Sequence, residues 1–421
     1  MKTISKKIIF AASIGNLLEM YAFSLYTLFL PILSPIFFPF SNPFAPLLLG
    51  YLVFAVGFFA YPFGALLFGL IGDMFGRKAA LSFSLLGMAL ATFFIGILPS
   101  YFTMGLLSPL LLSFFRTIQG LCAGGECIGS GMFIIEHALR KYPSFFGSIA
   151  AASGTLGALV ASIFSNLVVW EFLPHWTWRL LFVGSIFIGI VGIHLRRSVS
   201  ESPDFDEVYP KKRINPAREI LKFYKIPFLA AVGVGALGTV PFYMIIGFLN
   251  NYLVALEKIS FLDSLQINFV LLLFCALTLP LAGYVADKIS IYRAMAFSAF
   301  FSFLYSYPFF YFIHSGSLFV VVCAELLLLS LSQFYVAPLN AFLNQIFPSH
   351  IRYTGASFGY CIGMALFGGA SPYISLTIIK ITGIETLPSL YLAFVSCIGL
   401  SAVMVGRKKR INSLEKIAPA Y

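Results

Sequence analysis

Gly69-Leu70-Ile71-Gly72-Asp73-Met74-Phe75-Gly76-Arg77-Lys78 is a short polar break between two long apolar runs. It has an echo in Gly283-Tyr284-Val285-Ala286-Asp287-Lys288-Ile289-Ser290, where Asp287 stands 214 residues after Asp73. Two further connections match in the same way: Tyr142-Pro143-Ser144 and Phe347-Pro348-Ser349, each followed within ten residues by a glycine, Gly147 and Gly355. Similarity between the halves of a chain marks a duplicated architecture, a design that membrane carriers use to place a site between two repeats. The longest polar stretch, 196–226, falls between the copies and runs from Arg196-Arg197 through Glu201-Ser202-Pro203-Asp204 to Lys225-Ile226-Pro227.

The runs around these loops are built for lipid. Of 421 residues, 60% are hydrophobic and 10% charged, and 48 are Phe. Soluble domains carry about 25% charged residues, so this surface does not face water. A helix crosses the hydrocarbon core with about 20 apolar residues. Spans are expected at 8–38, 46–71, 79–98, 103–136, 146–170, 178–195, 227–256, 264–286, 292–313, 317–346, 353–379 and 387–406. Those longer than 25 residues imply tilt or extension beyond the bilayer. The runs are continuously apolar and not alternating, which excludes a membrane β-barrel. The expected fold is an all-α integral membrane protein, twelve transmembrane helices in two six-helix repeats. Its parts would be an N-terminal bundle at 1–198, a central loop at 199–225, a C-terminal bundle at 226–406 and a short basic tail at 407–421. Lys2, Lys6 and Lys7 ahead of an apolar run resemble a signal peptide, but the run is too long, contains Glu19 and has no small-x-small cleavage site; it reads as a retained first helix.

With the N-terminus placed in the cytoplasm, 23 of the 27 Lys and Arg residues fall in inside segments. The exceptions are Arg116, within a span, and Arg179, Lys258 and Lys380 near the opposite face. This bias predicts a multi-pass bacterial inner-membrane protein with both termini cytoplasmic. It also accounts for the net charge of +11 as a topology signal, not a nucleic-acid footprint. Cys122, Cys127, Cys275, Cys323, Cys361 and Cys397 all fall inside spans, without metal-ligand spacing, and read as packing residues. The five histidines, His137, His175, His194, His314 and His350, are scattered near span ends, which disfavours a membrane-embedded enzyme. No phosphate-loop motif is present, so ATP-driven transport is disfavoured too. No cofactor or metal is expected; the expected partners are the bilayer, a small-molecule substrate and protons, and a monomer is expected.

The Gly69–Lys78 loop resembles the signature of the major facilitator superfamily. More narrowly, the chain resembles the metabolite:proton symporters, the family of proline/betaine, 2-oxoglutarate, citrate and shikimate carriers. The matching stretches are Gly15-Asn16-Leu17-Leu18-Glu19-Met20-Tyr21-Ala22-Phe23, Arg116-Thr117-Ile118-Gln119-Gly120 with Gly124-Gly125-Glu126, and Trp178-Arg179. They continue with Glu201-Ser202-Pro203, Phe242-Tyr243-Met244 and Phe347-Pro348-Ser349-His350-Ile351-Arg352-Tyr353-Thr354-Gly355, so the resemblance covers most of the chain. Among members, the proline/betaine carriers are the most alike. Two departures stand out. Met20 and Ala22 replace the Trp and Asp usual in the family's first helix, which removes a carboxylate that carries protons. The tail from Arg407 lacks the heptads of a coiled coil.

Ionisable groups within a span are costly and point to function. Glu19 lies about eleven residues into the first span and Arg116 about thirteen into the fourth, both near the midplane. The resemblance implies that these two helices line the cavity. Arg116 is the candidate ligand for a substrate carboxylate, Gln119, which shares a face with Glu126, is a further substrate-binding candidate, and Glu19 would balance the charge or take a proton. The structural alternative is a permanent Arg116–Glu19 pair. Glu126, nearer the cytoplasm, is a candidate second proton site, against a packing carboxylate. Glu325, without a motif match, reads as structural. Phe23, Tyr26 and Tyr243, with Tyr21 and Phe242, are aromatic candidates for the cavity wall, where ring faces suit a quaternary ammonium. Asp73, Arg77 and Glu136, with Asp287 and Arg352, are the gating candidates, Asp73 facing the start of the eleventh helix; the alternative is solvated turn charges. The leading reading is proton-linked import of a small carboxylate-bearing solute. Competing readings are an exchanger or facilitator and, in other classes, a non-transporting sensor or a membrane enzyme.

Overall fold

The computed structural model describes residues 6–40, 44–138, 141–168, 174, 176–201, 216–255, 259–315 and 317–415. Most of the expected central loop, 202–215, and the last six residues of the expected tail lie outside them, as do Lys2, Arg140, Lys211, Lys212, Arg213, Lys258, Lys416 and His175. Among the described residues, twelve helices are long and apolar enough to cross a membrane. They are α1 (Lys6–Leu28), α2 (Leu52–Phe75), α3 (Arg77–Ile97), α4 (Leu107–His137), α5 (Pro143–Leu167) and α6 (Trp178–Arg197). The second set is α7 (Lys225–Val254), α8 (Asp263–Ile289), α9 (Ile291–His314), α10 (Leu318–Ile346), α11 (Arg352–Thr382) and α12 (Pro388–Lys408).

Several expected spans are interrupted, each for a local reason. The first, expected to run to residue 38, stops at Leu28 and restarts as Leu30–Phe37 with a proline in its first turn. Pro31 has no N–H to continue the ladder. The fourth does not begin at 103: Gly105, at φ 59°, separates the short turn Tyr101–Met104 from α4. Within the membrane α4 breaks at Cys127-Ile128, and α10 breaks at Ala337-Pro338, so each has an outer segment and a shorter inner one. Wider π-turns appear at Tyr243–Leu249 in α7 and Met364–Gly368 in α11, a feature that often marks functional positions.

Glycines set the closest helix contacts. A Cβ on Gly120 would lie 2.0 Å from the carbonyl oxygen of Gly57, and one on Gly64 would lie 1.8 Å from that of Leu121, so α2 and α4 touch backbone to backbone. A Cβ on Gly363 would lie 1.9 Å from the Val232 carbonyl oxygen, which makes α7 and α11 a second such pair. Small residues permit this approach where lipid supplies no hydrophobic drive between helices. The two halves meet along α2 with α11 and α5 with α8, and large exposed Phe residues such as Phe63, Phe187 and Phe319 cover the outside.

Candidate functional site

The site grows from three helices of the first half. On α1, Glu19, Phe23 and Tyr26 fall on one face by their spacing of four and three residues. On α2, Phe54, Phe58 and Tyr61 repeat that spacing. Arg116 on the outer segment of α4 points between them and is fully buried. Its guanidinium carbon lies 4.3 Å from the ring centre of Phe23, 4.3 Å from that of Tyr26 and 5.5 Å from that of Phe54. Such stacking suits the planar guanidinium. Arg116 Nη1 donates to Gln119 Oε1 at 2.8 Å, and Gln119 Nε2 donates to Thr92 Oγ1 at 2.8 Å. The other two nitrogens, Nε and Nη2, have no partner. Gly57 keeps the approach open, since a Cβ there would lie 3.2 Å from Nη2.

Glu19 is 2% exposed. Tyr61 donates its hydroxyl to Glu19 Oε1 at 3.0 Å, and Oε2 has no partner. The aromatic wall continues across the junction: Phe23 to Phe58 at 5.6 Å, Phe58 to Tyr61 at 5.5 Å, and Phe58 edge-on to Tyr243 of α7 at 5.2 Å between ring centres. Arg116, Glu19, Gln119, Phe23, Tyr26 and Tyr243 therefore share one neighbourhood. The structural alternative, a permanent Arg116–Glu19 pair, does not form. Glutamine and ring faces hold the guanidinium, and tyrosine holds the carboxyl.

Three other candidates go elsewhere. Tyr21 donates to the Leu181 carbonyl at 2.9 Å and faces α6. Phe242 joins a small cluster with Ala158, Leu159 and Leu272 between α5 and α8. Glu126 does not stand free as a proton carrier. Arg196 clamps it with two parallel bonds of 2.8 Å, and Ser84 donates to the same carboxylate at 2.6 Å. Arg196 also donates to the Ala11 carbonyl at 3.0 Å, so the cluster ties together α1, α3, α4 and α6. A bidentate pair with a third donor engages both oxygens, the arrangement that the packing-carboxylate alternative describes. Arg196, counted with the loop charges, is 3% exposed.

The gating candidates converge at the Lys/Arg-rich end of the bundle. Asp73 accepts from the backbone N–H groups of Tyr353 and Thr354 at 3.3 and 2.8 Å and from Thr354 Oγ1 at 2.6 Å. It thereby caps the start of α11, where the helix dipole favours an anion. Arg77 pairs with Asp73 at 2.9 Å and donates to the Ser349 carbonyl at 2.9 Å. Glu136 takes Arg77 at 3.7 Å and Arg352 at 3.3 Å. The echo loop repeats the cap with the halves exchanged: Asp287 of α8 accepts from Ser144 and Phe145 at the start of α5, both at 2.9 Å. Tyr353 donates to the Gly125 carbonyl at 2.7 Å, and Asn340 reaches the Gly147 carbonyl at 3.3 Å. Apart from the Asp73–Arg77 pair, the bonds that Asp73, Asp287, Tyr353 and Asn340 make here join one half to the other, so the bundle is latched shut at this end.

Phe54, Phe58 and Tyr61 were absent from the sequence candidates; their helical spacing opposite Phe23 was the available signal. Ser349 and Thr354 lie within the quoted Phe347–Gly355 stretch without having been singled out, and Thr92 left no signal, because its role depends on a partner helix.

Two six-helix halves around a buried polar and aromatic site, latched at one end, define a secondary membrane transporter. The sugar (and other) transporter family profile matches residues 8–226, and the chain belongs to that family of the major facilitator superfamily. It is 32% identical over 431 residues to the inner membrane metabolite transport protein YhjE of Escherichia coli, across 97% of this chain and 95% of that one. It is 26% identical over 430 residues to the proline/betaine transporter of Salmonella typhimurium, across 99% and 86% of the two chains. Among solved structures, the proton:xylose symporter XylE bound to 6-bromo-6-deoxy-D-glucose superposes with a TM-score of 0.77 at 15% identity over 97% of this chain and 98% of that chain, a likeness of fold. The protein is thus a multi-pass inner-membrane transporter and not an enzyme.

Proposed function

We propose that the protein imports a small carboxylate-bearing solute, of the proline or betaine kind, together with protons, by alternating access from the outer face to the cytoplasm. One observation carries this reading: two guanidinium nitrogens of Arg116 and one oxygen of Glu19 lack partners within one aromatic neighbourhood. A buried cation with free donors is expensive in a membrane unless a ligand completes it, and a carboxylate is the ligand whose two oxygens match parallel N–H donors. The faces of Phe58 and Tyr243 suit the other, cationic end of a zwitterion. The naming of a relative as a proline/betaine transporter points the same way. Glu19 is the proton acceptor on this reading. The latched end is the cytoplasmic one, because the Lys and Arg residues gather there. In this state the site opens outward or is occluded, and release requires the Asp73 and Asp287 caps to part.

Calorimetry with glycine betaine and proline tests the site. Arg116→Lys keeps the charge and loses the fork, and affinity is expected to fall roughly 10- to 100-fold. Arg116→Ala is expected to abolish binding with the protein still inserted. Undiminished binding of both ligands to Arg116→Ala would remove the carboxylate role.

A further inference from the structure

The second half contains a carboxyl group that none of the roles above uses. Glu325 lies on the outer segment of α10, is fully buried, and neither of its oxygens has a partner. The outer segment of α10 packs chiefly against α7, α8 and α9. No Lys, Arg or His of the described residues bonds the group. Titratable side chains of these elements are engaged with other groups: Tyr305 of α9 points its hydroxyl at the Ala324 carbonyl at 3.5 Å, Cys275 of α8 lies beside Gln333, Tyr335 on α10 donates to the Gly399 carbonyl at 3.1 Å, and Tyr252 and Tyr243 of α7 meet Glu385 and Phe58. Of the charged residues of α8 and α9, Asp287, Lys288 and Arg293 sit at the latched end, while at the other end Asp263 bonds Ser260 and His314 pairs with Glu385 at 2.9 Å. An ionised carboxylate with neither cation nor donor is not tolerated in such a place; a carboxylic acid is.

The repeat gives this group a counterpart. Arg116 stands nine residues beyond Leu107, and Glu325 stands seven beyond Leu318, so the two occupy similar depths on matching helices. Both helices break below these residues, at Cys127-Ile128 and at Ala337-Pro338. The inner segment of α10 carries Asn340, which bonds across the latch to Gly147. Parting the latch therefore pulls on the piece below the break, and the outer segment with Glu325 is free to tilt about it.

We propose that Glu325 is a second proton-binding site, which holds a proton while the latch is closed and releases it when the latch opens. The proposal rests on the transport reading above. In each cycle one O–H bond of the carboxyl breaks, the proton passes to water admitted from the open side, and a proton from the other side restores the acid.

The test uses the purified protein, Glu325→Gln and Glu325→Asp. Infrared difference spectra on raising the pH read the carbonyl stretch of a protonated carboxyl directly. A band present in the wild type at neutral pH, absent in Glu325→Gln and shifted in Glu325→Asp is expected; an unchanged band set in Glu325→Gln overturns the proposal. In vesicles, radiolabelled glycine betaine counterflow without a gradient is expected to stay within about twofold in Glu325→Gln, while accumulation driven by an imposed pH gradient falls at least about tenfold. Gradient-driven accumulation equal to wild type overturns the proposal, and so does loss of counterflow in Glu325→Gln, which would make the residue a packing group. Absence of counterflow in the wild type itself is the separate failure, that of the transport reading, and leaves the infrared result to decide Glu325.

Discussion

The two aspartate caps differ although they arise from one repeated loop. Asp73 is 8% exposed and gathers two backbone donors, a threonine hydroxyl and Arg77 around one carboxylate. Asp287 is half-buried and takes two backbone donors. The sequence difference behind this is small: the first loop ends in Gly76-Arg77-Lys78 and its echo in Ile289-Ser290, with no arginine four residues after the aspartate. A helix N-terminus alone binds an anion through dipole and N–H groups. The added cation makes the same cap a buried network, in which each member depends on the others. Latching is therefore unequal, strong between α2 and α11 and weaker between α8 and α5.

That inequality can be broken by substitution. Asp73→Asn takes from the buried Arg77 its shortest ion pair and leaves it Glu136 and the Ser349 carbonyl, and breaking such a buried pair costs about 3–5 kcal/mol. Uptake per molecule, normalised to protein in the membrane, is expected to fall at least tenfold, to about a tenth of wild type or less. Thr354→Val removes one charge-assisted hydrogen bond and keeps the shape, so a loss of about 1.5–3 kcal/mol from the latched state is expected, with a partial loss of uptake. Asp287→Asn keeps an acceptor at the cap and loses a charge near a helix end, worth about 0.3–1 kcal/mol. Uptake in that variant should stay within roughly threefold of wild type. Equal defects in Asp73→Asn and Asp287→Asn would show that the two caps act as one gate.

The sequence made some of this legible and concealed the rest. Twelve apolar runs and a repeated loop carry the fold, since lipid permits few alternatives to helices that satisfy their own backbones. Asp73 at the start of α11 was also readable, because a motif fixes its spacing. The partner of Arg116 was not: Gln119 is one turn away on the same helix, and the competition between it and Glu19 is decided by where Phe23 and Tyr26 place their rings. Arg196 shows the same gap. As a basic residue at the end of a span it reads as a loop charge, and only the approach of α1, α4 and α6 turns it inward onto Glu126. No helix break was foreseen: Pro31 and Pro338 lay inside expected continuous spans, and the break at Cys127-Ile128 has no proline to mark it.

The backbone contact between α2 and α4 is not repeated between α8 and α10, the matching helices of the other half, because α10 contains no glycine. With no side-chain layer between them, those two helices form a stiff plank that carries Arg116, Phe58 and Tyr61. Across from it, α8 and α10 are separated by side chains that can repack. Change in cargo preference should therefore accumulate on the yielding wall, with the plank kept as the fixed jaw of the vice.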